Sequence, residues 1–171
     1  MTYARDADAI VGFKNAMAEL VSGVSLLTVR QENPPLDLGM TVTSLASASL
    51  EPPMVAVGIG RGTSLAPYLV PRARVGITVL AEHQGELAAE FSKKGRPSAR
   101  EILAGRPHRR SPITGALVAD GALAVLEGQV DQTIAAGDHV IVLIAIAGTA
   151  IGPGTEPALL YQRRGYGQAN R

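Results

Sequence analysis

Three stretches of this chain carry side chains that could do chemistry. In TVTSLASAS, residues 41–49, an extended backbone would set Thr41, Thr43, Leu45, Ser47 and Ser49 on one face and Met40, Val42, Ala46 and Ala48 on the other. Small hydroxyls beside approachable backbone amides suit a flat, polar ligand with a phosphate tail, because they exchange hydrogen bonds without filling the space. A half-exposed strand showing Thr and Ser to water has the same pattern, and Ser44 falls outside the alternation. In GIGRGTSLAPYL, residues 58–69, Arg61, Thr63 and Ser64 stand in a glycine-rich turn that could grip a phosphate by side chain and backbone amide together. In AAGDHVIVLIAIAG, residues 135–148, His139 opens a long apolar run, where a side chain can face a pocket at the rim of a sheet.

The glycines at 58, 60 and 62, with Glu82 downstream, invite comparison with a dinucleotide-binding fingerprint. Thr63 stands where that motif needs its third glycine, and Pro67 and Pro71 leave no room for a long crossover helix. His83 and His108 read as surface residues. No His, Asp and Glu grouping has metal-ligand spacing, and a lone serine with a distant histidine does not make a hydrolytic triad.

The elements that must position these residues are mostly strands. Ile10, Phe13, Met17, Leu20 and Val21 recur at helical spacing, predicting an amphipathic helix over 6–22 with Asp6 and Asp8 near its N-terminus. VSLLTVR and GMTVTSLASAS follow as two strands, then MVAVGIG and VGITVLA with a short helix or turn between them, and an amphipathic helix in EHQGELAAEFSKK that puts Leu87 and Phe91 on one face. Residues 93–113 read as an irregular surface excursion. ALAVLEGQVDQTI, HVIVLIAIAGTAI and ALLYQ complete a count of six or seven strands and two or three helices, which suits a small barrel with flanking helices.

The composition agrees. The 171 residues fit one domain spanning 1–171, with 46% hydrophobic residues but only 4% aromatic, so Val, Ile, Leu and Ala must fill the core. There are no cysteines, which excludes disulfides and thiolate chemistry and makes a reducing, cytoplasmic setting the expectation. The N-terminal MTYARDADAI is charged where a signal peptide is apolar, and no apolar run approaches the roughly 20 residues of a membrane span. A net charge of +1 offers no general pull on nucleic acid or membranes, although residues 93–110 hold seven of the sixteen Lys and Arg against one acid. That segment reads either as a solvated loop or as a mobile positive lid over an anionic ligand. Without interleaved aromatics it does not read as a nucleic-acid surface.

Together these stretches resemble the flavin reductase family with the FMN-binding split-barrel fold, in particular the small reductase components of two-component flavin monooxygenases. The resemblance runs through FKNAMAELVSGVSLLTV, GMTVTSLASASLEPPMVAVGI, VGITVLAEHQGELAAEFS, GDHVIVLIAIAG and ALLYQRRGYG. LEGQV, where relatives often carry a cysteine, and LIAIAG, where they carry a glycine-containing pattern, depart from it. It implies a mainly β, six-stranded Greek-key split barrel, a homodimer with flavin near the dimer interface, and NADH or NADPH bound without a Rossmann domain. Hydride would pass to FMN or FAD, and the reduced flavin would diffuse to an oxygenase component. By matching positions, Thr41, Val42, Thr43 and Ser44 would contact the isoalloxazine and ribityl region, with Ser47, Ser49 and Leu50 continuing along the flavin. Arg61 and Ser64, with Thr63 beside them, would lie toward its phosphate, Phe91 would pack close to it, and His139 would meet the nicotinamide with Tyr166 nearby. A hydride leaves no proton to abstract, so His139 is expected to orient the nicotinamide rather than act as a base. Because strand neighbours point to opposite faces, Asp138 is expected to hold backbone amides in the turn and not to touch the His139 ring. A flavin-binding module without turnover, or a flavoprotein with another hydride donor, would use the same hydroxylated strand.

Overall fold

The computed structural model describes residues 9–168. Its elements are α1 (Ala9–Ala18), β1 (Ser22–Gly23), β2 (Ser25–Gln31), β3 (Leu36–Val42), β4 (Ala46–Leu50), β5 (Pro53–Gly60), β6 (Arg74–Val79), α2 (Gly85–Ser92), α3 (Ala99–Leu103), β7 (His108–Arg110), β8 (Leu117–Ala119), β9 (Ala124–Ala136), β10 (His139–Ile151), β11 (Leu159–Gln162) and β12 (Gly165–Gln168). Seven strands form one antiparallel sheet in the order β3-β2-β6-β9-β10-β5-β4. Its edge strands β3 and β4 are not paired with each other, so the sheet curls into a barrel that stays split. The expected six strands are β2, β3, β5, β6, β9 and β10, with β4 as an added edge.

Inside the curl, Leu27, Val29, Val57, Ile59, Val75, Ile77, Val130, Val142 and Ile144 make the main core, an aliphatic packing that matches the scarcity of aromatics. A second core lies on the other side of β2, where Val24, Leu26, Leu80, Leu87, Phe91, Leu103, Leu117 and Leu159 join α2, α3, β8 and β11 to the sheet. β2 is therefore covered on both faces, which explains why its first five residues are all buried and show no alternation.

β9 and β10 form a long hairpin whose two-residue turn is Gly137-Asp138, with Gly137 at φ 60° as a II′ turn requires of its first central residue. Breaks in register at Leu143/Ile144 and Ile146/Gly148 bend this hairpin around the core.

Four expectations are corrected. The helix over 6–22 is confined to Ala9–Ala18 among the described residues, and Asp6 and Asp8 lie outside them. Residues 39–49 do not make one strand: β3 ends at Val42 and β4 starts at Ala46, so the alternation expected through Ser49 stops at Thr43. The 93–113 segment is structured, containing α3, capped by Ser98 and Glu101, and β7. Finally, β1, β7, β8 and β12 are short strands that lacked a periodic signature in sequence.

Candidate functional site

β5 delivers the first group of candidate residues to the mouth of the barrel. At its end the chain turns through Arg61, Thr63 and Ser64, with the Thr63 amide donating to the Gly60 carbonyl at 3.1 Å and the Thr63 hydroxyl donating to the same oxygen at 2.9 Å. β3 and α2 supply the facing wall. A Cβ on Gly39 would stand 2.7 Å from Phe91 Cε1, so glycine is what lets the ring pack this close to β3. The Thr41 hydroxyl donates to the Ala88 carbonyl at 2.6 Å, which pins α2 to the same strand. Between the two walls is a cleft of about 640 Å³ lined by Met40, Thr41, Arg61, Thr63, Ser64, Phe91, Ser92, Lys94 and Arg96. Five of the expected site residues, Thr41, Arg61, Thr63, Ser64 and Phe91, meet here.

The remaining expected residues are placed elsewhere. Thr43 and Ser44 line a second cleft of about 660 Å³ with Phe13, Met17, Tyr161 and Arg164. The Ser44 hydroxyl donates to the Gly58 carbonyl at 3.0 Å and accepts from the Gly58 amide at 3.1 Å. It thereby continues the pairing that β4 makes with β5, and its proton is already used. Val42 is 4% exposed with its side chain in the main core, so only its backbone can face a ligand. Ser47 pairs opposite Val55 and Ser49 opposite Met54, with Leu50 beyond them, near the start of β5. At about 3.3 Å per residue that is roughly 16 Å or more along β5 from Gly60, so within one chain these three do not join the cleft. Tyr166 packs its ring against Tyr161 at 5.4 Å, on the β11–β12 hairpin rather than at His139. Burial raises its phenol above the ordinary value.

His139 starts β10 opposite Gly60, and its Nε2 lies 3.7 Å from where a Gly60 Cβ would stand, next to Thr63. The Arg61 amide donates to the Asp138 carbonyl at 3.0 Å and the Arg61 Nε to the His139 carbonyl at 3.3 Å, so the β5 turn and the β9–β10 turn are held as one unit. The expected separation of Asp138 from the imidazole does not hold: His139 Nδ1 and Asp138 Oδ1 are 2.7 Å apart. Strand alternation governs residues inside a strand, whereas Asp138 is in the turn, where its side chain is free to swing onto its neighbour. The hydrogen bond and the charge of His139 hold the Asp138 carboxyl below its ordinary value. With Nδ1 engaged, Nε2 is the nitrogen left to meet a ligand.

Lys94 and Arg96 are cleft residues that the sequence reading did not single out; the only signal was their membership of the basic run. Most arginines of that run are committed elsewhere. Arg110 makes two 2.8 Å bonds to Asp37, Arg106 pairs with Glu90 at 2.9 Å, and Arg109 pairs with Asp120. The arginines thus clamp the segment to the sheet and α2, and the mobile-lid alternative is set aside for this part of it. Among the described residues there is no grouping of His, Cys, Asp and Glu suited to a metal ion, and no helix long and apolar enough to cross a membrane.

Residues 17–170 match the family described as flavin reductase like domain. This chain belongs to that family. It is 32% identical over 151 residues to the actinorhodin polyketide dimerase of Streptomyces coelicolor, covering 88% of this chain and 82% of the relative. It is 32% identical over 154 residues to the reductase component of 4-hydroxyphenylacetate 3-monooxygenase from Thermus thermophilus, covering 90% and 93%. Other curated relatives carry names of NADH-dependent flavin reductases. In fold, the NADH:FAD oxidoreductase SgcE6 of Streptomyces globisporus superposes with a TM-score of 0.86 over 99% of this chain and 98% of that one, at 22% identity.

The residues of this flavin reductase family member fit a phosphorylated flavin. Three cations and no carboxylate line the 640 Å³ cleft, and Arg96 Nη2 is a buried donor with no acceptor. A group bearing anionic oxygens answers both features.

Proposed function

We propose that the protein is an NAD(P)H:flavin oxidoreductase that transfers a hydride from NADH or NADPH to FMN or FAD and supplies the reduced flavin to a partner oxygenase. The observation that carries this reading is the carboxylate-free cleft at the end of β5, where Arg61, Thr63, Ser64, Thr41 and Phe91 converge with His139 alongside. The flavin supplies the two-electron acceptor and the nicotinamide supplies the hydride; the protein's part is position and electrostatics. Phe91, packed against Gly39 and fully buried, backs the cleft wall close to where the cofactor would lie. Thr41 and Thr63, whose protons are spent on Ala88 and Gly60, offer lone pairs to donors on the ligand. Ser64 and the three cations offer donors to its anionic end. His139, steadied by Asp138, presents Nε2 to the nicotinamide carboxamide or a nucleotide phosphate. Thr43, Ser44, Ser47, Ser49, Leu50 and the Val42 backbone would extend the flavin surface away from the phosphate end.

The reading includes a homodimer. α1 buries none of its residues within the chain, Ile10 is exposed on it, and Phe13, Met17 and Leu20 remain exposed while lining the cleft that holds Thr43 and Ser44. Covering that face with a second copy would close the second cleft, which matches a flavin bound near the subunit boundary. A chain without cysteine is at home in the cytoplasm, where we place it.

The test is anaerobic mixing of the protein with FMN or FAD and with NADH or NADPH, following loss of oxidised-flavin absorbance. Bleaching with at least one pair is expected. Flavin binding without bleaching by either nucleotide would replace this reading with that of a flavin-binding module.

A further inference from the structure

A second group of cations lies outside the cleft assigned to the flavin phosphate. β11 and β12 are joined by the two-residue turn Arg163-Arg164, and both residues have positive φ, 49° and 64°, as a type I′ turn requires. Asn and Gly fill such positions most easily, so two arginines oppose the local preference, and what they gain lies in the reach of their side chains. Arg163 is committed to the fold. Its amide donates to the Ala18 carbonyl at 2.7 Å and its guanidinium holds Glu19 at 2.8 Å, which pins the turn to the end of α1 and neutralises that acid. Arg164 donates to the neutral Asn15 Oδ1 at 3.1 Å and keeps its charge unpaired among the described residues. With Lys14, the residue before Asn15 on α1, it lines the second cleft of about 660 Å³, where no carboxylate stands among the described residues.

This charged wall adjoins the residue given to the nicotinamide. Ser44, in the same cleft, bonds both backbone groups of Gly58, and two residues further along β5 Gly60 pairs with His139. The Asp138 carboxyl, held below its ordinary value chiefly by His139, is lowered further by the charge of Lys14. A nucleotide with its nicotinamide at His139 can therefore lay its adenosine half against α1 and the β11–β12 turn. Where a dinucleotide site receives a free ribose 2′-hydroxyl it supplies a carboxylate to accept from it, and where it receives a 2′-phosphate it supplies cations. The second cleft has the cations and lacks the carboxylate.

We propose that Lys14 and Arg164 bind the 2′-phosphate of the nicotinamide nucleotide and make NADPH the preferred hydride donor. The proposal rests on the reductase reading above, in which the flavin takes the Thr43 and Ser44 side of this cleft and leaves Lys14 and Arg164 to the nucleotide.

Dissociation constants of NADP+ and NAD+ are measured by titration calorimetry on the FMN-loaded wild type, Lys14→Ala and Arg164→Gly, with 2′-AMP as competitor. Michaelis constants for NADPH and NADH and the affinity for FMN are measured alongside. The wild type should bind NADP+ roughly tenfold more tightly than NAD+. Loss of one charge-assisted contact should weaken NADP+ binding by roughly tenfold, leave NAD+ and FMN within about twofold, and abolish competition by 2′-AMP. The Michaelis constant for NADPH should rise with the dissociation constant. Equal weakening of NADP+ and NAD+ would assign the cations to the pyrophosphate that both carry and overturn the proposal. A fall in FMN affinity with nucleotide binding unchanged would assign them to the flavin and overturn it too. Glycine suits the φ of 64° at position 164, so Arg164→Gly removes the guanidinium without straining the turn, and Lys14 is exposed on α1. Bleaching of the flavin by either nucleotide upholds the reductase reading, so a wild type that prefers NADH overturns this proposal alone.

Discussion

The contact between Gly39 and Phe91 predicts a change felt in both stability and binding. In Gly39→Ala, the new methyl would lie 2.7 Å from Phe91 Cε1, 3.2 Å from Phe91 Cδ1 and 3.1 Å from Thr28 Cγ2. Ordinary carbon contacts are about 3.5–4.0 Å, so the ring must retreat by roughly 1 Å. It cannot rotate away into solvent at little cost, because Phe91 is fully buried among Leu26, Leu87 and Leu103, and α2 is tied to β3 through Thr41 and Ala88. Overpacking of this kind costs about 1–3 kcal/mol. For a chain of this length that is a fall in Tm of roughly 2–12 °C, measured by thermal denaturation at fixed protein concentration. A retreating ring pushes on α2, and α2 with Thr41 forms one wall of the cleft, so flavin affinity should fall in the same variant. Adding Phe91→Leu should recover much of the stability and of the flavin affinity, because a smaller side chain vacates the methyl's space and lets α2 return. Wild-type Tm and wild-type flavin affinity in Gly39→Ala would refute the packing argument, as would a double variant no more stable than Gly39→Ala alone.

Three further outcomes are expected. His139→Ala removes one hydrogen-bonding group worth about 0.5–1.5 kcal/mol, so the nicotinamide Michaelis constant should rise about 2–12-fold in steady-state assays while flavin titrations stay unchanged; Asp138→Asn should shift it in the same direction by less. An unchanged reduction rate and Michaelis constant in His139→Ala would remove that residue from the mechanism. Arg110 holds the Asp37 carboxyl below its ordinary value of 3.8, so the pair's contribution is fully present above that pH and is lost as pH falls through the lower folded value; Arg110→Met should move the acid limb of urea-denaturation stability to higher pH. Ser44→Ala removes both bonds to Gly58 and should cost about 1 kcal/mol in denaturant titration, with little change in flavin affinity if the hydroxyl serves β5 rather than the ligand.

What could be read from sequence was what depends on local periodicity and turn chemistry. HVIVLIAIAGTAI delimits β10 to the residue, the spacing puts Leu87 and Phe91 on one helix face and both are buried there, and Pro67 and Pro71, which speak against the glycine fingerprint, leave only a 3-10 turn at Ala66–Tyr68 between β5 and β6. Residues 39–49 misled because alternation cannot reveal where a strand stops pairing. Thr43 to Leu45 leave the sheet while Ser44 imitates a strand residue with its hydroxyl, so the pattern continues where the geometry does not. Asp138 misled for a related reason, as a rule for strands was applied to a turn. Arg96 was invisible because its role comes from two carbonyls, Gly39 and Lys93, one of them more than fifty residues away. Nothing in the type of a residue announces which of its nitrogens will be left without a partner.

The basic run shows how one composition can serve two ends. Seven cations against one acid would repel each other in a free loop, and that repulsion favours an extended, solvated segment. Here acids from distant parts of the chain, Asp37, Glu90 and Asp120, take up Arg110, Arg106 and Arg109, and the Asp37 pairing is bidentate and mostly buried. A guanidinium's flat fork suits such anchoring better than an ammonium does. The cations at the start of the run find no acid in the cleft they line, and the neighbouring hydroxyl protons are turned to backbone carbonyls. Charge neutralised at one end of the segment and left unneutralised at the other concentrates positive potential at the mouth of the cleft. Increasing salt should therefore weaken FMN binding more than riboflavin binding in the wild type, and this difference should shrink in Lys94→Ala. Equal salt dependence for the two flavins would mean that the cleft's charge does not act on the phosphate, and that the cations there serve the fold alone.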